Sequence, residues 1–348
     1  MILREQVPLA PLTTLGVGGA ARYFVEAESE ADIREALQFA KERDLALFVL
    51  GGGSNLVVAD SGFAGIVLKV CLLGISLAPQ VSDVRFQVAA GEDWDGFVAR
   101  AVEDDCAGIE CLSGIPGFAG ATPVQNVGAY GQEVAETICQ VVALDRQTIE
   151  LRTFRNSDCG FGYRTSIFNT SARDRFIILR VSFRLRRGGS AAVRYADLEK
   201  YFGRDNEKPT LQQVRDAVRE IRRSKAMLLV PGDEDARSAG SFFKNPVVAQ
   251  SEFDELTARL RSRGLDMPSY PAGENCRKLS AAWLVENAGF IKGYTRGAAG
   301  ISRRHTLAIV NRGGATAAEI VALKDEIQSR VWAEFGISLQ PEPAFLGF

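Results

Sequence analysis

Two glycine-rich segments carry the clearest chemical potential in this sequence. The first is Gly51-Gly52-Gly53-Ser54-Asn55. The second runs from Ser113 to Gly131 and contains Gly114, Ile115, Pro116, Gly117, Gly120, Ala121, Thr122, Gln125, Asn126, Gly128, Ala129 and Tyr130. Glycine has no Cβ and accepts positive φ, so its backbone N–H groups come close to an anion. Several together can cradle a pyrophosphate without a charged side chain. Ser54, Asn55, Thr122, Gln125 and Asn126 add short donors and acceptors. Neither segment has G-x-G-x-x-G spacing between a strand and a helix, so there is no Rossmann fingerprint. Alone, the three-glycine run reads equally well as a turn. The second segment is too rich in Gly and small polar residues for a packed helix or strand. Its interleaved Ile115, Pro116, Phe118, Val124 and Val127 argue against disorder, and long irregular loops of this kind are commonly functional.

Acid–base chemistry has little imidazole to draw on. His305 is the single histidine; beside Arg303 and Arg304, just before the apolar run Leu307 to Val310, it reads as a strand-entry surface residue. Proton transfer then falls to Ser, Tyr, Glu, Lys or Arg. Cys71, Cys106, Cys111, Cys139, Cys159 and Cys276 form no C-x-x-C pair, which predicts reduced thiols and no metal site.

These groups must be positioned by a chain of 348 residues, long enough for two or three domains. A net charge of -2 and 24% charged residues predict an ordinary globular protein without wholesale attraction to nucleic acid or membranes. No targeting segment or membrane span is read, so a cytoplasmic location is expected. No dimerisation motif is evident, and a monomer is expected.

The first half alternates helices and strands. Ser29 and Asp32 have capping-box spacing, and Ile33, Ala36, Leu37 and Ala40 mark one helix face. Leu45 to Leu50, Gly65 to Val70 and Val84 to Ala89 read as strands, and Trp94, Phe97, Val98, Ala101 and Val102 as a second helical stripe. Ile138 to Leu185 looks strand-rich. Gly188-Gly189-Ser190 is a candidate boundary. Beyond it, Thr210 caps a helix with the stripe Leu211, Val214, Val218 and Ile221. Leu229 to Arg237 reads as a loop. Three further helices end near Gly264, Gly289 and Gly336. The class is α+β.

The pair of glycine loops resembles the FAD-binding domain of the vanillyl-alcohol-oxidase (PCMH) type. The wording GGGSN followed by GIPG-x-x-G-x-x-P-V-Q-N-V-GAYG is similar to the UDP-N-acetylenolpyruvoylglucosamine reductase family. The similarity continues through Phe161 to Phe168, Ala239 to Pro246 and Pro341-Glu342-Pro343, nearly the whole chain. It implies an FAD-binding domain over 1–187, made of two α+β subdomains, with 337–348 as a candidate return to it. A C-terminal α/β substrate domain over 188–336 follows, and the C-terminal strand is expected to run back toward the flavin.

The resemblance also implies noncovalent FAD, NADPH as hydride donor and a UDP-sugar substrate. Hydride passes from NADPH to flavin and then to the terminal methylene carbon of an enolpyruvyl ether, and a proton reaches the adjacent carbon. The family roles fall on Arg164 for the substrate carboxylate, Ser241 as proton donor and Glu342 as an acidic or electrostatic partner. A guanidinium offers a carboxylate two parallel donors. Binding roles for the UDP-sugar fall on Tyr163, Tyr195, Lys225, Asn245, Lys278 and Lys292. Three features depart from the family pattern: Pro343, Ala344, and a longer segment between Lys225 and Ser241. An FAD-dependent oxidase of a sugar or hydroxy acid, and a non-enzymatic flavin-binding module, are the alternatives.

Overall fold

Ser29 opens the first helix as its spacing predicts. Its Oγ accepts from Asp32 N–H while the Asp32 carboxylate accepts from Ser29 N–H, at the head of helix Glu30–Glu42. Ile33, Ala36, Leu37 and Ala40 are that helix's buried residues. The computed structural model describes residues 1–79, 83–203 and 208–348, and these form two compact units.

The first unit comprises Met1–Pro8, Ala20–Gly53 and Phe63–Leu229. Among its described residues it holds a two-stranded antiparallel pair, Gly128–Ala129 with Gln132–Glu133, and two larger sheets. One is mixed, in the order Leu3–Pro8, Ala20–Ala27, Phe63–Val70, Leu47–Leu50, with the first pair antiparallel and the other pairings parallel. The parallel strand Phe63–Val70 is buried almost throughout, as a strand covered on both faces should be. The other sheet is antiparallel and six-stranded: Leu151–Arg155, Ile138–Asp145, Phe176–Arg187, Asp83–Ala89 and Ile75–Pro79 in order, with Cys106–Ala107 on the far end of Phe176–Arg187. Helix Trp94–Glu103 buries the stripe read from sequence. Trp94, Phe97 and Phe183 are fully buried, with ring centroids 5.1–5.7 Å apart.

The packing does not divide at 187/188. Helix Leu211–Ser224, capped by Thr210, buries Val214, Ala217 and Val218 against Cys111, Tyr130 and Leu198 of the first unit. The fully buried Glu110 carboxylate accepts from Ala192 N–H at 2.9 Å, from Gly108 N–H and from Gln132 Nε2, and so holds the chain beyond Gly189 in place. The units separate at Leu229/Val230 instead.

The second unit comprises Leu9–Gly19, Ser54–Gly62 and Val230–Phe348. Two three-stranded antiparallel sheets, centred on Cys276–Leu279 and Ala299–Ile301, carry helices Gln250–Arg261, Ala281–Asn287 and Ala317–Phe335. The last helix buries Ile320, Leu323, Ile327, Val331 and Phe335 and stops at Gly336, whose φ of +71° suits glycine. The C-terminal strand Ala344–Leu346 pairs in parallel with Leu56–Val58. The Asp60 carboxylate accepts from Ala317 N–H (2.7 Å) and Ala318 N–H (2.9 Å) at the head of the last helix. These two contacts explain why 54–62 belongs with the C-terminal part of the chain. No helix among the described residues is long and apolar enough to cross a membrane.

Asn311 ties the remaining segment, Leu9–Gly19, into this unit. Its Nδ2 donates to Leu15 O and Gly16 O, both at 3.1 Å, and its Oδ1 accepts from Gly313 N–H (2.9 Å) and Ala315 N–H (3.0 Å). Asn311 is buried, so Asn311→Ala strands four backbone groups. We expect urea unfolding to report a loss of at least about 2 kcal/mol. A loss under about 0.5 kcal/mol, ordinary for a surface site, would remove Asn311 from this role.

Candidate active site

In the first unit the two glycine segments meet backbone to backbone. A Cβ built on Gly52 would stand 2.6 Å from Gly117 Cα, and one on Gly51 lies 3.6 Å from Ala121 Cβ. Trp94 N–H donates to Gly117 O at 3.0 Å, which fixes the second segment to the head of helix Trp94–Glu103. Not every glycine there faces open space. A Cβ on Gly120 would meet Ala90 Cβ at 2.4 Å, so that glycine is required by packing.

Two of the expected cofactor residues turn inward. Thr122 is buried and donates to Ala119 O. Asn126 is buried at a φ of +47°; its Nδ2 donates to Glu133 Oε2 and Gly162 O, and its Oδ1 accepts from Ala135 N–H. Both act as framework. Gln125 and Ile115 are half-buried.

The same segment grips Arg164. Gly162 and Thr165 exchange backbone hydrogen bonds of 3.0 and 3.2 Å, closing a tight turn with Tyr163 and Arg164 at its tip. Asn126 holds Gly162 O, Ser166 Oγ donates to Val124 O (2.7 Å), and Arg164 Nη2 donates to Gly128 O (2.8 Å). The Arg164 guanidinium lies 5.6 Å from the Tyr163 ring centroid, a cation–π distance. Arg164 itself has a φ of +55°.

Tyr130, Tyr195 and Lys225 converge nearby in this unit. The two tyrosine rings pack edge-to-face with centroids 5.5 Å apart, and Lys225 Nζ lies 5.9 Å from the Tyr130 ring. Lys225 also pairs with Asp197 at 2.5 Å. Burial pushes the Tyr130 phenol up from its usual value. Burial likewise pulls the Arg222 guanidinium down. Arg222 Nε donates to Gly114 O at 3.1 Å. Gly114 is held from its other side by Asp95, whose Oδ1 accepts from Gly114 N–H (2.7 Å) and Arg215 Nη1 (2.6 Å) while Oδ2 accepts from Arg219. Spacing did not reveal this clamp. Asp95, Arg215, Arg219 and Arg222 sit on two helices far apart in sequence; the only trace was the i, i+4, i+7 run of arginines on one face.

The second unit brings Ser241 and Glu342 to one place. Phe242 O accepts from Glu342 N–H at 2.9 Å, Lys244 N–H donates to Gln340 O at 3.0 Å, and Phe243 bridges Pro341. Asn55 joins them: its Nδ2 donates to Glu342 O (3.2 Å) and its carbonyl accepts from Ala344 N–H (3.0 Å). Ser54 belongs to the same unit. Asn245 uses Oδ1 on Ala281 N–H at the head of helix Ala281–Asn287, so it orders that helix. Lys278 sits on the central strand Cys276–Leu279, in register with Val247 on one side and Tyr270 on the other. Tyr270 is half exposed. Lys292 stands exposed in a turn, away from any strand. His305 precedes strand Ile309–Asn311, as expected, with Nδ1 accepting from Leu307 N–H.

A model of the UDP-N-acetylenolpyruvoylglucosamine reductase C-terminal domain matches residues 232–346, and an FAD-binding-domain model matches 21–146. The UDP-N-acetylenolpyruvoylglucosamine reductase of Thermobifida fusca is 47% identical over 99% of this chain and 98% of its own length. The chain belongs to that family. The reductase of Streptomyces avermitilis is 46% identical over 99% of this chain and 94% of its own. The crystal structure of the reductase from Thermus caldophilus superposes with a TM-score of 0.68 at 25% identity, covering 99% of this chain and all of that one. Family membership fixes the fold class read from the sequence: an FAD-binding α+β part and a C-terminal α/β part. Among the described residues no group of three His, Cys, Asp or Glu side chains could hold a metal ion.

The paired glycine segments fit the dinucleotide part of FAD through their clustered backbone N–H groups, and their close approach depends on Gly52, where a Cβ would meet Gly117 Cα. Gly52→Ala is therefore expected to weaken flavin binding by the apoprotein at least tenfold in a fluorescence titration. Unchanged affinity would reduce the contact to a fold feature. A second expectation concerns pH. Burial would raise the Asp95 carboxyl, but Arg215, Gly114 N–H and Arg219 outweigh it and hold it below the usual carboxylate range. Its contribution is thus present above about pH 4 and lost as pH falls through the depressed folded value. The stability gap between wild type and Asp95→Asn should be full at neutral pH and shrink below about pH 4. A gap independent of pH would reject the charged clamp.

Proposed function

We propose that this chain reduces the enolpyruvyl ether of UDP-N-acetylglucosamine enolpyruvate to UDP-N-acetylmuramate, an early step in peptidoglycan precursor synthesis. NADPH is the hydride donor and FAD is held without a covalent bond. The observation that carries the residue assignment is that Phe242 O accepts from Glu342 N–H, because it brings the segments carrying Ser241 and Glu342 side by side.

Gly51, Gly52, Gly53, Gly114, Pro116, Gly117, Ala121, Gln125, Gly128, Ala129 and Tyr130 would hold FAD, with Thr122, Asn126 and Gly120 as its framework and Ser54 and Asn55 completing the first segment. Bound FAD supplies a two-electron carrier between NADPH and the substrate. The chain's own residues manage charge and protons. As the methylene carbon is reduced, negative charge develops on the neighbouring carboxylate. Arg164, a permanent cation in a fixed turn, is suited to pairing with it. Ser241 delivers a proton to the adjacent carbon. A serine is a weak acid, so it depends on close placement and on the developing charge. Glu342 lies between two prolines that fix φ on either side, so its carboxylate has a defined direction. Tyr163, Tyr195, Lys225, Asn245, Lys278 and Lys292 are the proposed contacts to the UDP-sugar. Lys225 must leave Asp197 to reach a diphosphate. We take the working form to be a monomer in the cytoplasm.

The test is NADPH oxidation by FAD-loaded protein with and without the enolpyruvyl substrate, followed by the same assay on Ser241→Ala. Wild type should turn over NADPH beyond the one equivalent that reduces its flavin only with substrate, and without oxygen uptake. Ser241→Ala should keep flavin reduction by NADPH near normal and slow flavin reoxidation by substrate about 10²-fold or more. Oxygen uptake without need for the UDP group would replace this reading by an oxidase. Equal slowing of both halves would remove Ser241 as proton donor.

A further inference from the structure

We propose that Asp235 is a positioning residue for Ser241, holding it through the turn Ser302–Leu307. The proposal rests on Ser241 acting as proton donor. Asp235 lies in the short 3-10 turn Glu234–Ala236, within the segment that is longer than the family resemblance suggests. It is 5% exposed. Its Oδ2 accepts from Ser302 Oγ (3.1 Å) and Arg303 N–H (2.8 Å), and Arg304 Nε stands 3.8 Å away. Its Oδ1 is buried without a hydrogen-bond partner among the described residues, 4.0 Å from Arg312 Nη1.

A buried carboxylate with one oxygen unbonded is a poor choice for stability alone. What it does is order the next four residues. Ser302 Oγ accepts from Arg304 N–H (3.0 Å) and His305 N–H (3.3 Å), and His305 Nδ1 accepts from Leu307 N–H (3.1 Å). Leu307 O then accepts from Phe242 N–H at 2.8 Å. The chain from Asp235 to the peptide beside Ser241 is continuous.

A second route runs along the backbone. Arg237 O accepts from Asn311 N–H, Ser238 bridges Val310, and Thr14 Oγ1 donates to Ser238 O at 2.6 Å. Between this anchor and Ser241 stands Gly240, at a φ of +73° and with open space where a Cβ would be. Ser238 and Phe242 are therefore fixed, and Ser241 is held between them, next to Gly240, whose N–H donates to Ser238 Oγ at 3.3 Å. The direction of Ser241 Oγ depends on the distance between the two anchors, and Asp235 sets the Phe242 side of it through the turn Ser302–Leu307.

The experiment measures both half-reactions by stopped flow on FAD-loaded wild type, Asp235→Asn, Ser241→Ala and the double variant, with melting temperatures alongside. Asp235→Asn keeps the size of the side chain and loses its charge. We expect flavin reduction by NADPH within about twofold of wild type and reoxidation by the enolpyruvyl substrate slowed about tenfold, the scale of a small misplacement of a reacting group. The double variant should be no slower than Ser241→Ala, because Asp235 then has nothing left to position. Ser302→Ala, which removes one link of the chain, should show the same pattern more weakly and keeps the test open if Asp235→Asn does not fold. Slowing of both halves together, or additive slowing in the double variant, would overturn the role of Asp235 while leaving the reductase reading intact. Wild type whose reduced flavin is not reoxidised by this substrate would overturn that reading, and the role of Asp235 with it.

Discussion

The peptide of Phe242 is bonded on both edges, its N–H to Leu307 O and its carbonyl to Glu342 N–H. Most of what is chemically interesting in the second unit depends on that pair of hydrogen bonds. It places Ser241 beside the C-terminal segment, and it ties that segment to the turn before strand Ile309–Asn311. The Phe242 ring is fully buried against Phe243 and Phe345, so the peptide cannot rotate out of the ladder without opening the core. Asn55 then fastens the far side of Glu342. Three stretches about 100 to 290 residues apart thus meet through backbone groups, and the side chains between them inherit their positions.

The first unit solves a similar problem with side chains. Its second glycine segment has little secondary structure of its own and would be floppy if left to its backbone. Asp95, Arg222 and Ser166 each bond it from surrounding elements, and its own Asn126 reaches out to Gly162 O. Glu110 adds a buried carboxylate satisfied by three neutral donors rather than by a cation. Such a buried acceptor is satisfied only while every donor is in place, so it rewards one arrangement of 108–132 and 192 over looser ones.

Local periodicity made much of this legible in advance. The helix stripes at Ile33–Ala40 and Trp94–Val102 and the caps at Ser29 and Thr210 are short-range patterns, and each appears where spacing puts it. What spacing could not supply was the partner of each stripe. Helix Leu211–Ser224 has an apolar face that would suit either unit, and only its contact with Tyr130 and Leu198 decides. Residues 9–19 and 54–62 follow no local pattern for the same reason: two short excursions owe their place in the second unit to Asn311 and Asp60, single polar side chains paired across about 250 residues or more. The family motifs located the glycine loops and Arg164 but not the clamp behind them. Asp95 and its arginines follow no motif, because any geometry that brings a carboxylate to Gly114 N–H would serve.

A common feature of the residues proposed for chemistry is that their backbones are the least free in their neighbourhoods. Arg164 occupies the left-handed region, which costs a non-glycine residue about 1–2 kcal/mol. Glu342 sits between two prolines. Ser241 follows a glycine at positive φ and precedes the doubly bonded Phe242. Strain of this kind persists only where surrounding contacts over-determine it. Around Arg164 those contacts are the Gly162–Thr165 pair, Asn126 and Gly128. Charge stabilisation at a developing carboxylate needs a cation already in place, since moving a guanidinium at the moment of reaction would cost reorganisation energy. A flexible arginine could bind the same carboxylate but would spend its interaction on ordering itself. The rigid turn is therefore the arrangement in which the charge of Arg164 is worth most, and the hydrogen bonds of the second glycine segment would serve the proposed catalytic role as well as the proposed cofactor site.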